Sequence, residues 1–515
     1  MASTGALAQA LAVRLEGASG PEARFYAARD HAPLWLDGDG AAADAFLAAL
    51  EGADAHALPV ARHAPDALRR AREAAAAPAA TPAERAQAEL AFARAYLAYA
   101  TDLSAGVVDP RSVAAEIRRA APRRDPLRLL EAAAQAADMP AHLAGLAPTD
   151  PDYARLLALY AELRDAARGG AWGAPIPPGR TLRPGDRDPR TPALRARLER
   201  LGDLPAGGGV ADPDRYDADL AEALRRFQRR HGLDADAAMG PLTRAALNAG
   251  PAERAAQVAV NLERIRWMNF DLGARRIEVN QAAFTVRLID SDRALFEERV
   301  VVGTQRDQTP EFSDEMEYMV LNPSWHVPES IAVDEILPLL QRDPGYLAAR
   351  NMKLTRVDGQ PGPEDPASHD FTNYSAANFP YRIRQRPDAG NALGKVKFMF
   401  PNDYAIYLHD TPSKRLFDRD TRAFSHGCVR VRDPLRLAEL LLAPQMEDPS
   451  RFIQRVLSAG AERYVTLDAH VPVHLLYRTV TFDAAGTPEF RADVYGRDAR
   501  ASQALRKAGV ALPDL

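Results

Sequence analysis

The most informative stretch of this sequence runs from His409 to Arg430 and reads HDTPSKRLFDRDTRAFSHGCVR. Its Cys428 is the single cysteine of the 515-residue chain and lies downstream of His409. A neighbouring imidazole can raise the thiolate fraction of a thiol or hold the thiolate as an ion pair. We therefore predict that Cys428 is an acyl-transfer nucleophile and that His409 activates it.

Two simpler interpretations of this cysteine are weaker. A lone cysteine is often only a small buried hydrophobe, but the flanking Ser425, His426 and Gly427 and the upstream histidine favour chemistry. A zinc site built from His409, His426 and Cys428 lacks a fourth ligand and any C-x-x-C or H-E-x-x-H pattern. We predict neither a metal nor a cofactor.

The neighbours of this pair are predicted to shape a pocket. Gly427 lets a substrate carbonyl approach backbone N–H groups, which would hold a developing oxyanion, and Ser425 and His426 complete the loop. Tyr407 lies two positions before His409, so strand alternation places both on one face. There the tyrosine either lines the pocket or packs in the core.

Two charged residues at the ends of the motif receive separate predictions. Asp410 follows His409 directly, so its side chain turns to the opposite strand face and a backbone carbonyl orients the imidazole instead. Arg430 is either a cation that attracts a carboxylate of the substrate or one half of a structural ion pair with Asp433.

Strand patterning surrounds the motif. Alternating apolar residues from Ile277 onwards predict that the second half of the chain is mainly β. Within it, residues 343–394 are rich in turn residues, which is typical of a lid or binding insert. Near the end, residues 479–482 and 490–495 predict a hairpin. The aromatic residues of the insert either line a cleft or form its own small core: Phe371, Tyr374, Phe379 and Tyr381.

The first third of the chain has a different texture. From Ser3 to about Gly170 it is rich in Ala, Leu and Arg with 3.6-residue apolar spacing, which predicts helices. The clearest helix runs from Pro82 to Leu103, where Thr81 is the N-cap and Glu84 completes a capping box. Residues 169–189 are dense in Gly and Pro and predict a linker.

Composition limits the function. The 65 basic and 70 acidic residues give a net charge of -5, which argues against nucleic acid as a partner. The sequence contains no run of about eighteen apolar residues, so no membrane-spanning helix is predicted. The N-terminus, MASTGALAQALAVRLEGASG, lacks a basic start and is not a convincing signal peptide.

A helical module is predicted between the two halves. The string FQRRHGLDADAAMGPLTRAALN, residues 227–248, resembles the peptidoglycan-binding module of bacterial wall enzymes, which is a small three-helix unit. Predicted helices at 192–203 and 218–231 supply the other parts of such a unit. The alternative is a helical spacer without a binding role.

The stretch from His409 to Arg430 resembles the active-site signature of L,D-transpeptidases, in which a His precedes an S/T-H-G-C box. FYAARDHAPLWLDGDG (25–40), NLERIRW (261–267) and NPSWHVP (322–328) extend the resemblance to nearly the whole chain, in the manner of the long YcbB-type branch. It implies an α+β multidomain protein with these parts: a helical scaffold at 1–180, completed by a helix at 251–268; the three-helix module at 185–250; a β-sandwich catalytic domain at 270–482 with a capping insert at 343–394; and a C-terminal hairpin and tail at 483–515.

The resemblance also implies a reaction. The thiolate of Cys428 attacks the carbonyl of the third residue of a peptidoglycan stem, D-alanine leaves, and a thioester forms. A side-chain amine of a second stem resolves the thioester into a third-to-third cross-link, while His409 moves the protons. Gly427 and Cys428 offer N–H groups to the oxyanion. Four residues are predicted to contact the substrate, although burial is the plainer account of the tryptophan: Arg430, Asn322, Trp325 and Tyr374.

The implied partners are peptidoglycan stem peptides and glycan, other wall-synthesis enzymes, and carbapenem-type inhibitors. Such a substrate lies in the periplasm or cell envelope, so export is expected, with a leader that is absent from this chain. Three alternatives stay open: an L,D-carboxypeptidase in which water resolves the thioester, attachment or release of a wall protein, and a non-catalytic wall-binding scaffold. The intact Cys428 and His409 argue against the scaffold.

Overall fold

The computed structural model describes four segments of the chain: residues 2–169, 172–207, 212–363 and 366–512. Parts of several predicted regions therefore lie outside the described residues. They are Met1 of the scaffold, residues 170–171 of the linker, 208–211 of the module, 364–365 of the insert and 513–515 of the tail.

The chain divides into two compact units. Unit 1 comprises Met1–Asp271 and Arg478–Leu515, and unit 2 comprises Leu272–Tyr477. None of the described helices combines the length and the apolar character that a bilayer crossing requires. Unit 2 contains both Cys428 and His409, and it is a continuous stretch of chain.

The N-terminal part of unit 1 is helical, as predicted. Short 3₁₀ turns at Ala53–His56 and Val60–His63 separate the third and fourth helices. The helices are α1 (Ala2–Leu15), α2 (Pro21–Ala27), α3 (Ala41–Glu51), α4 (Pro65–Ala76), α5 (Pro82–Ala105), α6 (Pro110–Val113), α7 (Pro126–Gln135), α8 (Met139–Ala144) and α9 (Pro151–Arg168).

The start of α5 confirms the predicted capping box. The Thr81 hydroxyl accepts a hydrogen bond from the Glu84 N–H (3.2 Å), and the Glu84 carboxylate accepts one from the Thr81 N–H (2.8 Å). Further along the helix, the buried rings of Phe92 and Tyr96 pack around Trp35. This aromatic cluster lies in the main core of unit 1.

The three-helix module has a core of its own. Its helices are α10 (Thr191–Arg200), α11 (Ala218–Arg230) and α12 (Pro241–Asn248). The predicted linker is corrected in one respect, because part of it packs onto this module. Ile176 and Leu182 are buried in the module core, and the Ile176 N–H donates to the side chain of Asn248 (2.8 Å). Burying these two apolar side chains is more favourable than leaving them in contact with water.

Unit 2 is built mainly from strands. They are β1 (Arg275–Asn280), β2 (Thr285–Asp290), β3 (Arg293–Gly303), β4 (Ser313–Leu321), β5 (Trp325–His326), β6 (Met352–Arg356), β7 (Tyr381–Gln385), β8 (Val396–Met399), β9 (Leu408–His409), β10 (Ala423–Ser425), β11 (Val429–Val431) and β12 (Arg463–Leu476). The helix between the two halves, α13 (Pro251–Trp267), precedes them and belongs to unit 1.

The large sheet of unit 2 closes on itself. Its strand order is β10-β3-β11-β9-β8-β4-β12-β1-β2, and β2 also pairs with β3. Ile277, Val279, Val286 and Leu288 of the first two strands are buried, as their alternation predicts. The prediction of a mainly β second half is confirmed, with the strands paired in a ring rather than in two separate sheets.

The capping insert is a small layer with its own core. Strands β5, β7 and β6 form a three-stranded sheet. Helices α14 (Glu329–Ile331), α15 (Leu337–Leu340) and α16 (Tyr346–Ala349), with a π-helical turn at Ala332–Ile336 and a 3₁₀ turn at Pro366–Ser368, complete it. The sheet begins at Trp325, earlier than the predicted bound at 343, because β5 pairs with β7.

Two further helices of unit 2, α17 (Pro434–Leu442) and α18 (Pro449–Ala459), follow the cysteine loop, and a 3₁₀ turn at Lys414–Asp418 lies within the His409–Arg430 stretch. The chain then returns to unit 1 and forms β13 (Val480–Phe482), β14 (Pro488–Phe490) and α19 (Arg497–Lys507).

This return corrects two predictions. The hairpin exists, but its second strand ends at Phe490 instead of beginning there, and the predicted tail contains an eleven-residue helix. The first hairpin strand lies in unit 1, whereas the predicted catalytic domain extended to residue 482. Asn261 of α13 supplies the physical reason, because its side-chain Oδ1 accepts hydrogen bonds from the N–H groups of Thr479 (3.0 Å) and Val480 (3.2 Å).

We predict that Asn261→Ala destabilises unit 1 by about 2 kcal/mol, because Asn261 is only 1% exposed and its loss leaves buried N–H groups without acceptors. Denaturant unfolding followed by tryptophan fluorescence measures this, since Trp35, Trp172 and Trp267 lie in unit 1. Gln87→Ala, which removes an exposed amide hydrogen bond, is the matched control. Equal stability of the two variants would contradict the prediction.

Candidate active site

Three neighbouring strands place a histidine between two cations. Lys397 of β8 is the register partner of His409 of β9, and His409 is in turn the partner of Arg430 of β11. Register partners on adjacent strands point to the same face of a sheet. The side chains of Lys397, His409 and Arg430 therefore form a row across the sheet.

His409 is buried, with 5% of its surface exposed, and its ring Nδ1 donates to the backbone carbonyl of Asp410 (2.5 Å). Nε2 is therefore the nitrogen that accepts protons. Burial, followed by the nearby charges of Arg430, Lys397 and Lys414, lowers the pKa of His409 from 6.5 to about 3, although the bond to Asp410 opposes this shift. The imidazole is consequently neutral at physiological pH.

The Asp410 carboxylate points away from the imidazole, as strand alternation predicts. One oxygen accepts the Lys395 N–H (2.8 Å), and the other accepts from the Lys414 ammonium (2.6 Å). The site thus contains no Cys-His-Asp triad: the main chain of Asp410, and not its side chain, holds the ring of His409.

Cys428 is partly buried against the turn before β9. Its thiol donates to the Ala405 carbonyl (3.6 Å), and the Val429 N–H donates to the Tyr407 carbonyl (3.1 Å), so Tyr407 lies beside the cysteine and can donate to its sulfur. Burial raises the pKa of this thiol, while the Tyr407 bonds and the charges of Lys397 and Arg430 lower it. Tyr407 is half-buried beside the cysteine.

Because His409 is neutral, a standing ion pair of thiolate and imidazolium is the less favourable of the two predicted modes of activation. Within the described residues, no hydrogen bond joins the Cys428 sulfur to the His409 ring. Bonds of this kind are often long in a substrate-free enzyme and tighten only when substrate binds.

Hydrogen bonds fix the loop that carries the cysteine. The Ser425 hydroxyl donates to the Cys428 carbonyl (2.5 Å) and accepts from the Gly427 N–H (3.2 Å). Thr309, which the sequence analysis missed, donates from its hydroxyl to the Gly427 carbonyl (2.6 Å). Gly427 has φ of +110°, a conformation that favours glycine. Since the Gly427 N–H is occupied by Ser425, the Cys428 N–H is the better placed of the two predicted oxyanion donors.

His426 points to the capping insert. Its Nε2 hydrogen-bonds to the carboxylate of Glu335, which lies in the π-helical turn, and both side chains are about half exposed. Exposed pairs of this kind contribute about 0–1 kcal/mol. The contact therefore connects the insert to the cysteine loop without fixing it strongly.

Arg430 makes no ion pair with Asp433 among the described residues. Asp433 instead caps α17, where its carboxylate accepts from the Arg436 N–H (3.3 Å). The Nε of Arg430 is buried and has no hydrogen-bond partner in the described chain. This leaves the guanidinium available for a carboxylate, which was the other predicted role.

The side chains of the remaining predicted substrate residues contact other parts of the protein. Asn322 is corrected: its amide donates to the carbonyls of Val456 (3.0 Å) and Ala461 (3.2 Å) at the end of α18 and holds that helix. Trp325 packs against the core of the insert, in agreement with simple burial. Tyr374 packs there too, within an aromatic cluster that includes Tyr381 (ring centroids 5.8 Å apart).

The sequence analysis did not identify Lys397. The signal was its position between Val396 and Phe398, both of which are buried. Alternation in this short strand turns the lysine to the other face, but only the register shows that His409 lies beside it. In the part of the chain that the structure describes, His, Cys, Asp and Glu side chains form no cluster of three or more that would hold a metal.

Comparison with known protein families agrees with this geometry. Residues 274–460, which include the whole row and Cys428, match the family described as the L,D-transpeptidase catalytic domain. Residues 274–460 are therefore similar to L,D-transpeptidase catalytic domains. Residues 22–159 match a "Scaffold domain", and residues 187–247 match a "Putative peptidoglycan binding domain". The helical region, the three-helix module and the transpeptidase domain are thus each recognised separately.

Individual relatives also match only part of the chain. A "Putative L,D-transpeptidase" of Haemophilus influenzae is 34% identical over 243 residues, 47% of this chain and 48% of that protein. The chain therefore spans about half the length of the curated relative that it matches. L,D-transpeptidase crystal structures from Xylanimonas cellulosilytica (residues 123–326) and Stackebrandtia nassauensis are each 14% identical, covering 58% and 59% of this chain and 99% and 97% of theirs. Their TM-scores, 0.17 and 0.21, are too low to support a statement about shared geometry.

We predict that the His409 imidazole of the transpeptidase domain stays neutral from pH 8 down to about pH 4. Its pKa of about 3 is below 6.5, so the unfolded chain takes up the proton first. The stability contributed by the neutral ring is therefore full above pH 6.5 and is lost as the pH falls towards 3. NMR of ¹⁵N-histidine-labelled protein measures the titration, and His409→Gln identifies the signal. A midpoint near 6.5 would contradict this prediction.

Proposed function

We propose that this protein is an L,D-transpeptidase that joins two peptidoglycan stem peptides through a third-to-third cross-link. The observation that carries the proposal is the strand pairing that, within the residues matching an L,D-transpeptidase catalytic domain, brings the start of β11 directly after Cys428 alongside β9 and its neutral His409. The match of residues 187–247 to a peptidoglycan-binding family supports the substrate class and a location in the cell envelope.

The first half of the reaction forms a thioester. The sulfur of Cys428 attacks the carbonyl carbon of the third stem residue while Nε2 of His409 takes the thiol proton. The Cys428 N–H donates to the resulting oxyanion. When the C–N bond to D-alanine breaks, His409 returns the proton to the leaving nitrogen, so that D-alanine departs with a neutral amine and the enzyme keeps the acyl group.

The second half transfers the acyl group. A side-chain amine of a second stem attacks the thioester carbonyl, and Nε2 of His409 accepts a proton from that amine. Collapse of the tetrahedral intermediate breaks the C–S bond, and the proton passes to the sulfur of Cys428. The products are the amide cross-link and the free thiol, which is the starting state of the enzyme.

Arg430 is proposed to hold a carboxylate of the donor stem. Its guanidinium has no carboxylate partner among the described residues, since Asp433 caps α17. A stem peptide ends in a carboxylate and is therefore attracted to a cation close to the thiol. This attraction would place the scissile carbonyl near Cys428.

We predict that Cys428→Ala abolishes cross-linking and that His409→Gln reduces its rate by about 10²- to 10⁴-fold. Mass spectrometry follows the products from disaccharide-tetrapeptides that contain a diamino acid. A cross-linked dimer that has lost one D-alanine supports transpeptidation. Tripeptide alone would mean that water resolves the thioester and that the protein is an L,D-carboxypeptidase. No product from the unmodified protein would overturn the proposal and leave a wall-binding scaffold.

We also predict that a carbapenem acylates Cys428, because its strained amide offers a comparable carbonyl to the thiolate. Intact mass after incubation should rise by the mass of one inhibitor. Since Cys428 is the only cysteine, Cys428→Ala should show no increase. An unchanged mass for the unmodified protein would contradict the prediction.

A further inference from the structure

One cation of the active site is not used by the proposed reaction. The ammonium of Lys397 lies 3.8 Å from the centroid of the Tyr407 ring, and Tyr407 lies beside the cysteine, because its carbonyl accepts from the Val429 N–H (3.1 Å) and its hydroxyl acts on the Cys428 sulfur. The three groups therefore form a chain from cation to ring to sulfur. A cation over the face of an aromatic ring draws electron density from it, which makes the phenol a stronger donor.

Lys397 is free to act in this way. Within the described residues its ammonium forms no ion pair. Glu462 is the carboxylate that acts on it electrostatically. That carboxylate already accepts hydrogen bonds from the Ser324 N–H (2.6 Å) and the Arg384 guanidinium (3.4 Å). The charge of Lys397 is thus only partly compensated, and its close neighbour is the Tyr407 ring.

The charged and titratable groups acting on the sulfur are Tyr407, Lys397 and Arg430, and burial opposes all three. His409 lies next to Tyr407, with ring centroids 5.5 Å apart, and is neutral. In the enzyme without substrate, an anion on the sulfur consequently finds its compensating charge in the two cations of the row and not in an imidazolium. The same two cations disfavour protonation of His409, so they separate charge stabilisation from proton transfer.

We propose that Lys397 is a positioning residue of this active site that acts through Tyr407 and, together with Arg430, supplies the counter-charge for the Cys428 thiolate. This inference rests on the proposed role of Cys428 as the nucleophile. As the sulfur attacks, the thiol proton still passes to Nε2 of His409, and the cations stabilise the negative charge that develops on the sulfur. Lys397 itself gains and loses no proton in the cycle.

The test measures the thiol without substrate. The rate of Cys428 alkylation by iodoacetamide is followed against pH in the full-length protein, and its midpoint reports the thiol titration. For Lys397→Met, which removes the charge but keeps an unbranched side chain, we expect the midpoint to rise and the rate at pH 7 to fall about three- to tenfold. Lys397→Arg should retain the original midpoint. Lys353→Met, at an exposed lysine of β6, is the matched control.

A purely structural role would give a different pattern. If Lys397 only packs on Tyr407, the midpoint of Cys428 alkylation is the same in Lys397→Met as in the control Lys353→Met. That result overturns the proposal. A second arm uses Tyr407→Phe: without the hydroxyl, the additional shift caused by Lys397→Met should shrink, and an undiminished shift would overturn the relay through Tyr407. Thermal unfolding verifies that each variant is folded.

The outcome is separable from that of the proposed function. If the unmodified protein forms no cross-link but the thiol midpoint moves in Lys397→Met, the proposed function fails and the role of Lys397 stands. If cross-links form and the midpoint does not move, the function stands and the role of Lys397 fails. For an electrostatic effect on acylation, kcat of Lys397→Met should fall while KM for the tetrapeptide changes little.

Discussion

The hydrogen bond from Nδ1 of His409 to the carbonyl of Asp410 is the constraint on which the site depends. It fixes one tautomer in a buried ring, so that Nε2 is the only basic atom available. The bond requires the chain to turn immediately after β9, and the Asp410 carboxylate must then be accommodated elsewhere. Gly394 permits this, because a Cβ at that position would lie 2.4 Å from the carboxyl carbon.

The parts of the site that could be predicted are those set by local sequence. The His409–Arg430 motif indicated the nucleophile and the base, and alternation alone oriented Asp410. Lys397 was missed because strand register decides which residues lie beside it in the site. The sequence of a four-residue strand does not encode that register. Asn322 was misplaced for a related reason: the amide binds carbonyls of a helix that is distant in sequence.

The same distinction applies to the fold. The capping box of α5 was predictable because its two partners are three residues apart. The segment after residue 171 was interpreted as a linker because Gly and Pro dominate its composition. Its Ile176 and Leu182 are nevertheless buried in the module core and attach the segment to the module. The helix α19 was missed because its apolar face is small, with only Ala501 and Leu505 among its buried hydrophobic residues.

The division of the chain has a consequence for its biosynthesis. The chain leaves unit 1 at Asp271 and returns at Arg478, and Val480, Leu505 and Val510 belong to the same core as the N-terminal helices. Unit 2 is continuous and can fold as soon as Tyr477 has emerged from the ribosome, whereas the core of unit 1 must wait for its last segment. Contacts so distant in sequence close slowly. The first helices to be translated are therefore the last to have their core completed, and unit 2 can fold before unit 1, into whose sequence it is inserted.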